Sequence, residues 1–251
     1  MHRGQYIEPM RPRAALALLP SQCELCRGWG AGLVCRPCIE RHAPRRPRCL
    51  RCGLVVGTPA LACGPCLRDP PPYERTICAL DYGFPWDRLI TAFKFHRRVE
   101  LAAPLAALLD EAIAQHAQHA LQAPQPPQTR EGLLVAPIPL TPARLAERGF
   151  NQAWELARRV AQRRGLRARG DALQRVLETP PQAALSSAER RRNLRNAFAP
   201  TPGAGLKSVH VALVDDVMTT GATVREAAAA LLRGGALSVQ VWVLARTPEV
   251  A

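Results

Sequence analysis

The sequence predicts an α/β protein with a parallel sheet and flanking helices, preceded by a small cysteine-rich module. Three observations carry that prediction. Residues 209–214 form an almost wholly apolar run of strand length, as suits a parallel strand covered on both faces. A helix-length stretch over 223–233 follows, stopped by Gly234 and Gly235, and a second apolar strand over 238–245 completes a βαβ pattern. Upstream, eight of the nine cysteines crowd into residues 23–66 as four Cys-x-x-Cys pairs.

Composition narrows the class further. The 251 residues suffice for one large domain or two smaller ones, and 47% hydrophobic with 22% charged residues excludes a wholly disordered chain. No apolar run approaches the ~18 residues of a membrane helix. The chain is also too long for a disulfide-stapled miniprotein, a class that rarely exceeds about 80 residues. A net charge of +14 implies anionic partners, either polyphosphate-bearing small molecules or nucleic acid. Lys94 and Lys207 are the only lysines, but the preference for Arg is what a GC-rich coding sequence imposes.

The elements follow in chain order. Residues 1–20 begin basic and end in a short apolar stretch over 14–19, read as a short helix leading into the cysteine module. A signal peptide competes with that reading, yet no small-residue cleavage site precedes Cys23. Pro70, Pro71 and Pro72 form a stiff linker, giving expected domains of 1–69 and 73–251. A strand is expected over 76–82, and an amphipathic helix over 85–119 interrupted before Pro104. Residues 122–130 read as an exposed connection. A strand over 133–136 runs into Pro137 and Pro139, and Asn151 is placed to cap a helix over 151–164. Cys78, Trp154, Leu156 and Trp242 read as packing residues.

The pairs Cys23/Cys26, Cys35/Cys38, Cys49/Cys52 and Cys63/Cys66 have the spacing that brings two thiolates to one ion. Eight ligands make two structural zinc sites, closed to catalysis because no coordination position stays open. Four disulfides compete with that reading, but they do not favour so regular a repeat. Sharing of each zinc by consecutive pairs needs only short hairpins, and an interleaved pairing satisfies the same spacing. Reduced thiols imply a cytoplasmic setting.

The most informative string runs from Val211 to Thr223. A buried strand ends in Asp215 and Asp216, and a loop of Thr219, Thr220 and Gly221 then opens a helix at Ala222 and Thr223. A helix N-terminus offers unpaired N–H groups and partial positive charge to a phosphate monoester. Two acids beside such a cradle would repel the anion, so ribose hydroxyls, or a Mg²⁺-bound ribose, are what they can serve. Neither a GxGxxG nor a GxxxxGK[ST] motif occurs, leaving dinucleotide and P-loop readings unsupported.

This string resembles the phosphoribosyl diphosphate (PRPP) motif of type I phosphoribosyltransferases. The whole chain resembles the ComF family, whose members join a zinc-ribbon module to such a domain. Further matching stretches are Phe93-Lys94-Phe95, Pro137-Ile138-Pro139-Leu140, Arg148-Gly149-Phe150-Asn151-Gln152, and Gln182, Leu185, Arg191, Asn193 and Phe198. The resemblance implies that Asp215 and Asp216 are the catalytic pair, holding the ribose hydroxyls. It implies that Thr219, Thr220, Gly221, Ala222 and Thr223 take the 5′-phosphate. Ile138, Pro139, Arg144 and Arg148, with Lys94 and lid residues Arg191 and Arg195, would hold the diphosphate together with Mg²⁺. A lysine snorkelling from an amphipathic helix is the competing reading of Lys94. The implied function is Mg²⁺-dependent phosphoribosyl transfer with pyrophosphate release, associated with competence and DNA uptake, to an acceptor the sequence does not identify. The alternative is a non-catalytic accessory factor that binds single-stranded DNA in natural transformation, with PRPP as a regulatory ligand. Basic stretches over 41–51 and 158–169 would serve it, though aromatics for base stacking are only 5% of the chain.

Overall fold

In the computed structural model, residues 20–58, 62–121, 132–177 and 196–248 are described. The expected leader helix, the 122–130 connection, and Arg191 and Arg195 of the expected lid lie outside them. The contacts divide the chain into two compact units, Met1–His42 and Ala43–Ala251. The first four cysteines therefore fall in the smaller unit. The second four, expected in a module ending at residue 69, belong to the larger one.

In the smaller unit, β1 (Ser21–Gln22) pairs antiparallel with β2 (Trp29–Gly30), and α1 (Arg36–His42) follows. Arg27, with φ of 61°, turns the chain between the two strands.

The larger unit opens with α2 (Gly64–Arg68), β3 (Thr76–Asp81) and α3 (Trp86–Phe95). A 3₁₀ turn at Val99–Leu101 then separates α3 from α4 (Ala102–Leu121), so the helix expected over 85–119 is broken before Pro104. Next come β4 (Leu134–Pro137), α5 (Pro142–Arg148), α6 (Gln152–Arg164) and the short strands β5 (Arg167–Ala168), β6 (Leu173–Arg175) and β7 (Phe198–Pro200). The unit ends with β8 (His210–Met218), α7 (Ala222–Arg233) and β9 (Ser238–Arg246). Asn151 caps α6 by accepting from Trp154 N at 3.2 Å, and Gly165 in the left-handed region ends it.

The five-stranded sheet is parallel throughout, in the order β3-β9-β8-β4-β5. On one face, Val211, Leu213, Val239, Val241 and Val243 pack with Val224, Ala227, Ala228 and Leu231 of α7. The intervening residues, including Ala212, Val214, Trp242 and Leu244, are buried and by alternation point to the other face, where α4 and α6 pack. From β4 the chain moves outward to β5, whereas from β8 it moves the opposite way to β9. The strand order therefore reverses between β4 and β8, the place where open α/β sheets leave a crevice for ligands.

Candidate functional site

The eight module cysteines assemble as two quartets, Cys23/Cys26/Cys35/Cys38 and Cys49/Cys52/Cys63/Cys66, with the sulfurs of each set within 4.8 Å of one another. Consecutive pairs thus come together, and the interleaved pairing is excluded. All are free thiols, which excludes disulfides in this structure. Four sulfurs held tetrahedrally at ~2.3 Å from an ion stand about 3.8 Å apart. Cys26 and Cys35 approach to 3.7 Å, and Cys52 and Cys63 to 3.6 Å. Cys35 N donates to Cys23 Sγ at 3.4 Å and Cys63 N to Cys49 Sγ at 3.2 Å, so backbone donors support the sulfur charge. Against the upward push of burial, donors from Cys52, Cys63 and Arg51 draw the Cys49 thiol down to about 7. Burial and the Cys49 charge lift Cys52 to about 12. Such a set ionises fully only around a cation, and both quartets fit zinc.

The second quartet is knit into the α/β unit. Arg48 donates to Gly53 O at 3.0 Å and to Asp81 Oδ1 at 2.7 Å. Thr76, the first residue of β3, donates from N to Leu50 O and from Oγ1 to Arg51 O, both at 2.7 Å. Cys78 is a packing residue, its Sγ donating to Leu80 O at 3.2 Å.

The cleft forms where β4 and β8 part. Their last shared bond runs from Ile138 N to Val214 O at 2.8 Å. Beyond it β8 continues to Met218, paired on one side only through Asp215 to Val243, Val217 to Ala245 and Met218 to Arg246. The two carboxylates are thus inside the strand, and the expectation that the strand ends on them is corrected. β9 supplies the pairing that carries it further.

About 560 Å³ of open space is lined there by Lys94, Ile138, Pro139, Leu140, Arg144, Arg148, Asn151, Gln152, Arg175, Asp215, Asp216 and Thr223, among others. Lys94 Nζ sits 2.9 Å from Asp216 Oδ1, which puts the lysine inside the cleft and leaves no role for snorkelling to solvent. Asp215 Oδ1 accepts from Asp216 N at 2.9 Å, and Asp216 Oδ1 from Val217 N at 2.6 Å. Burial first, and the Asp216 charge second, push the Asp215 carboxyl up to about 8, while Lys94 pulls the other way. Lys94 pairs with Asp216, and the two carboxyl groups together suit hydrogen bonding to hydroxyl groups.

Across the cleft, Thr141 caps α5 by accepting from Arg144 N at 3.3 Å, which fixes Arg144 in the first turn. Arg148 donates to Gln152 Oε1 at 3.0 Å and lies 4.8 Å over the Phe95 ring. Asn151 Nδ2 donates to Ile138 O at 3.0 Å and Gln152 Nε2 to Lys94 O at 3.3 Å, tying α6 to both neighbouring segments.

The loop after β8 brings Thr219 and Thr220 to the surface. Gly221, with φ of 78°, is the N-cap of α7 and has no side chain to occupy the first-turn N–H groups. A Cβ there would stand 2.6 Å from Met218 Cε. Ala222 N reaches Thr220 Oγ1 at 3.4 Å. Of the loop residues expected to take phosphate, Thr223 also lines the cleft.

Sequence reasoning missed Arg175, which lies 5.5 Å over Phe198 and lines the cleft, and gave Asn151 and Gln152 no role there. It also missed Arg246, buried beneath the phosphate-loop candidate. An isolated Arg closing an apolar strand was the available signal.

A doubly covered parallel sheet, with acids, a basic wall and a glycine-started helix around its crevice, makes this an α/β protein with an open cleft at its switch point. No family model matches the chain. It is 40% identical over 236 residues to DNA utilization protein YhgH of Salmonella typhi, covering 91% of this chain and 98% of that one. With YhgH of Escherichia coli K12 it shares 37% over 238 residues, 91% and 98% of the two chains. With competence protein F of Haemophilus influenzae it shares 32% over 229 residues, 90% and 96% of the two chains. Among solved structures, a glutamine PRPP amidotransferase from B. subtilis is similar at 17% identity and a TM-score of 0.37, over 62% of this chain and 30% of that one, too slight a likeness to bear on function. The chain belongs to the ComF family, that of competence protein F and the YhgH proteins. Among the described residues, no helix is long and apolar enough to cross a membrane.

Proposed function

We propose that the cleft binds PRPP and that the protein is a phosphoribosyltransferase serving DNA uptake. The observation that carries this reading is the opposition, across one crevice, of the Asp215–Asp216 pair to Arg144 and Arg148, with the Gly221 helix start adjoining. In this reading Asp215 and Asp216 accept from the ribose 2′- and 3′-hydroxyls. The Thr219–Thr223 loop and the α7 N-terminus receive the 5′-phosphate. Lys94, Arg144 and Arg148, with Ile138 and Pro139 forming the turn beneath, hold the diphosphate, to which Arg175 adds a further cation. Mg²⁺ bound with the diphosphate would supply added charge neutralisation as it leaves. Arg191 and Arg195 are proposed to close over it. Zinc in the two quartets is structural. The printed names of the relatives support a place in DNA uptake or utilization.

Asp215→Asn/Asp216→Asn is expected to weaken PRPP binding by at least about a hundredfold, as loss of two charge-assisted contacts implies. Calorimetry showing unchanged affinity would sink the assignment. Pyrophosphate release from PRPP and Mg²⁺ across a panel of bases and amines identifies the acceptor.

A second reading, a non-catalytic factor that binds single-stranded DNA with PRPP as a regulatory ligand, draws on Trp29. That indole is 72% exposed in the β1–β2 hairpin, a position suited to stacking on a base. DNA affinity that falls steeply with salt and survives the Asp substitutions would favour it.

A further inference from the structure

Two arginines join the second cysteine quartet to the loop that opens α7. Arg246, only 6% exposed, donates from Nε to Cys52 O at 3.0 Å. Its Nη1 donates to Met218 O at 3.1 Å, to Thr219 O, and to Thr247 O at 2.9 Å. One guanidinium thus grips the main chain of a quartet cysteine, the last residue of β8 and the first residue of the loop. A buried arginine has no low-energy alternative to those carbonyls, because each lost bond leaves charge and acceptor unpaired. Arg225, in the first turn of α7, donates to Asp69 O at 2.9 Å, Pro70 O at 3.1 Å and Asp69 Oδ1 at 3.3 Å. Asp69 is the C-cap of α2, the helix that carries Cys66. The Cys49/Cys52 knuckle therefore has an arginine to the loop, and the Cys63/Cys66 knuckle one to the helix that the loop opens.

The rest of the knuckle leaves little slack. Gly53, with φ of 72°, would place a Cβ 3.1 Å from Thr76 Cγ2. Arg51 donates to Tyr73 O at 3.1 Å, and the buried Tyr73 hydroxyl lies 3.9 Å from where a Gly221 Cβ would be. Quartet, β3, Tyr73 and loop form one packed body.

We propose that Arg246 and Arg225 are positioning residues through which the metal state of the second quartet sets the shape of the 218–222 loop. Zinc in that quartet then licenses phosphate binding at the cleft, and its loss withdraws it. The ligand half of this inference rests on the PRPP reading; the coupling itself does not.

The test combines metal content, amide hydrogen exchange and calorimetry on the full-length zinc protein. Arg246→Met is expected to retain zinc at both quartets and a cooperative thermal transition. Its 218–222 amides should exchange about tenfold faster, and its PRPP affinity should fall about tenfold, the loss of one charged hydrogen-bond cluster. Exchange and affinity equal to wild type, with zinc retained, would overturn the proposal. If Arg246→Met does not fold, the half-exposed Arg225→Ala decides. Exchange in the first turn of α7 should rise about threefold, and no rise overturns the proposal. By linkage, PRPP should tighten zinc binding at the second quartet in wild type, and do so more weakly in either variant. A wild-type protein that binds no PRPP refutes the cleft reading, and the coupling is then judged on exchange alone.

Discussion

The two cysteine quartets share their Cys-x-x-Cys spacing and differ in what surrounds them. Around the first, the bonds run inside its own small unit, as from Cys23 N to Gly28 O and Glu24 N to Leu33 O, and Cys26 is exposed. Around the second, Cys49 is fully buried, and Arg48, Thr76, Arg246 and Arg225 draw the knuckles onto the sheet and the α7 loop. The lesson is that a ligand pattern specifies a metal site and not its employment. One quartet holds together a small unit; the other is also tied by Arg246 and Arg225 to the sheet and to the helix beside the cleft.

The sharpest way to break this contrast is to remove one cysteine from each quartet. Cys49→Ser is expected to lower the main thermal transition by more than about 10 °C, since a structural zinc site contributes of order 10 kcal/mol. Cys23→Ser should leave that transition within about 3 °C. Scanning calorimetry alongside zinc content reads both, and equal shifts would end the distinction. Next in size is metal release. A chelator should draw zinc from the first quartet at least about tenfold faster than from the second, because opening the second disturbs the α/β core. A single-phase release curve contradicts this.

Smaller effects sharpen the picture on the cleft side. Asp215 holds its proton more tightly in the folded than in the unfolded chain. Its contribution to stability therefore falls as pH rises from the ordinary carboxylate range through about 8. Asp215→Asn should gain on wild type as pH increases across that window, read from urea midpoints, and a constant difference would contradict the buried pair. Gly221→Ala should cost about 1–2 kcal/mol through left-handed backbone strain, with the Met218 contact adding to it. An unchanged denaturation midpoint would mean that the loop held by Arg246 yields readily.

Much of this was legible in the sequence, for identifiable reasons. The apolar runs of β8 and β9, the Asn151 cap and the Gly234-Gly235 stop are local signals, and the elements lie where those signals put them. The grouping of Lys94, Arg144 and Arg148 with Asp215 and Asp216 came from the family resemblance, and these side chains line one crevice. The extension of β8 past its acids was not legible, because a carboxylate pair reads as a strand end unless a neighbouring strand is known to continue. Strands as short as β5, β6 and β7 carry no periodicity to detect. Arg246 was hidden for another reason: its partner carbonyl at Cys52 lies 194 residues away, and carbonyls have no side-chain signature.

The strand order has a consequence for synthesis. β8 and β9, the two strands that join β3 to β4, are the last strands of this sheet to be made. Until residues 210–246 emerge, β3 has no sheet neighbour and β4 only the two-residue β5. Arg246, at the very end of β9, is made later still. A nascent chain can gather its second set of thiols early, but the platform they support is assembled only once residues 210–246 are made, when non-local pairing closes all at once.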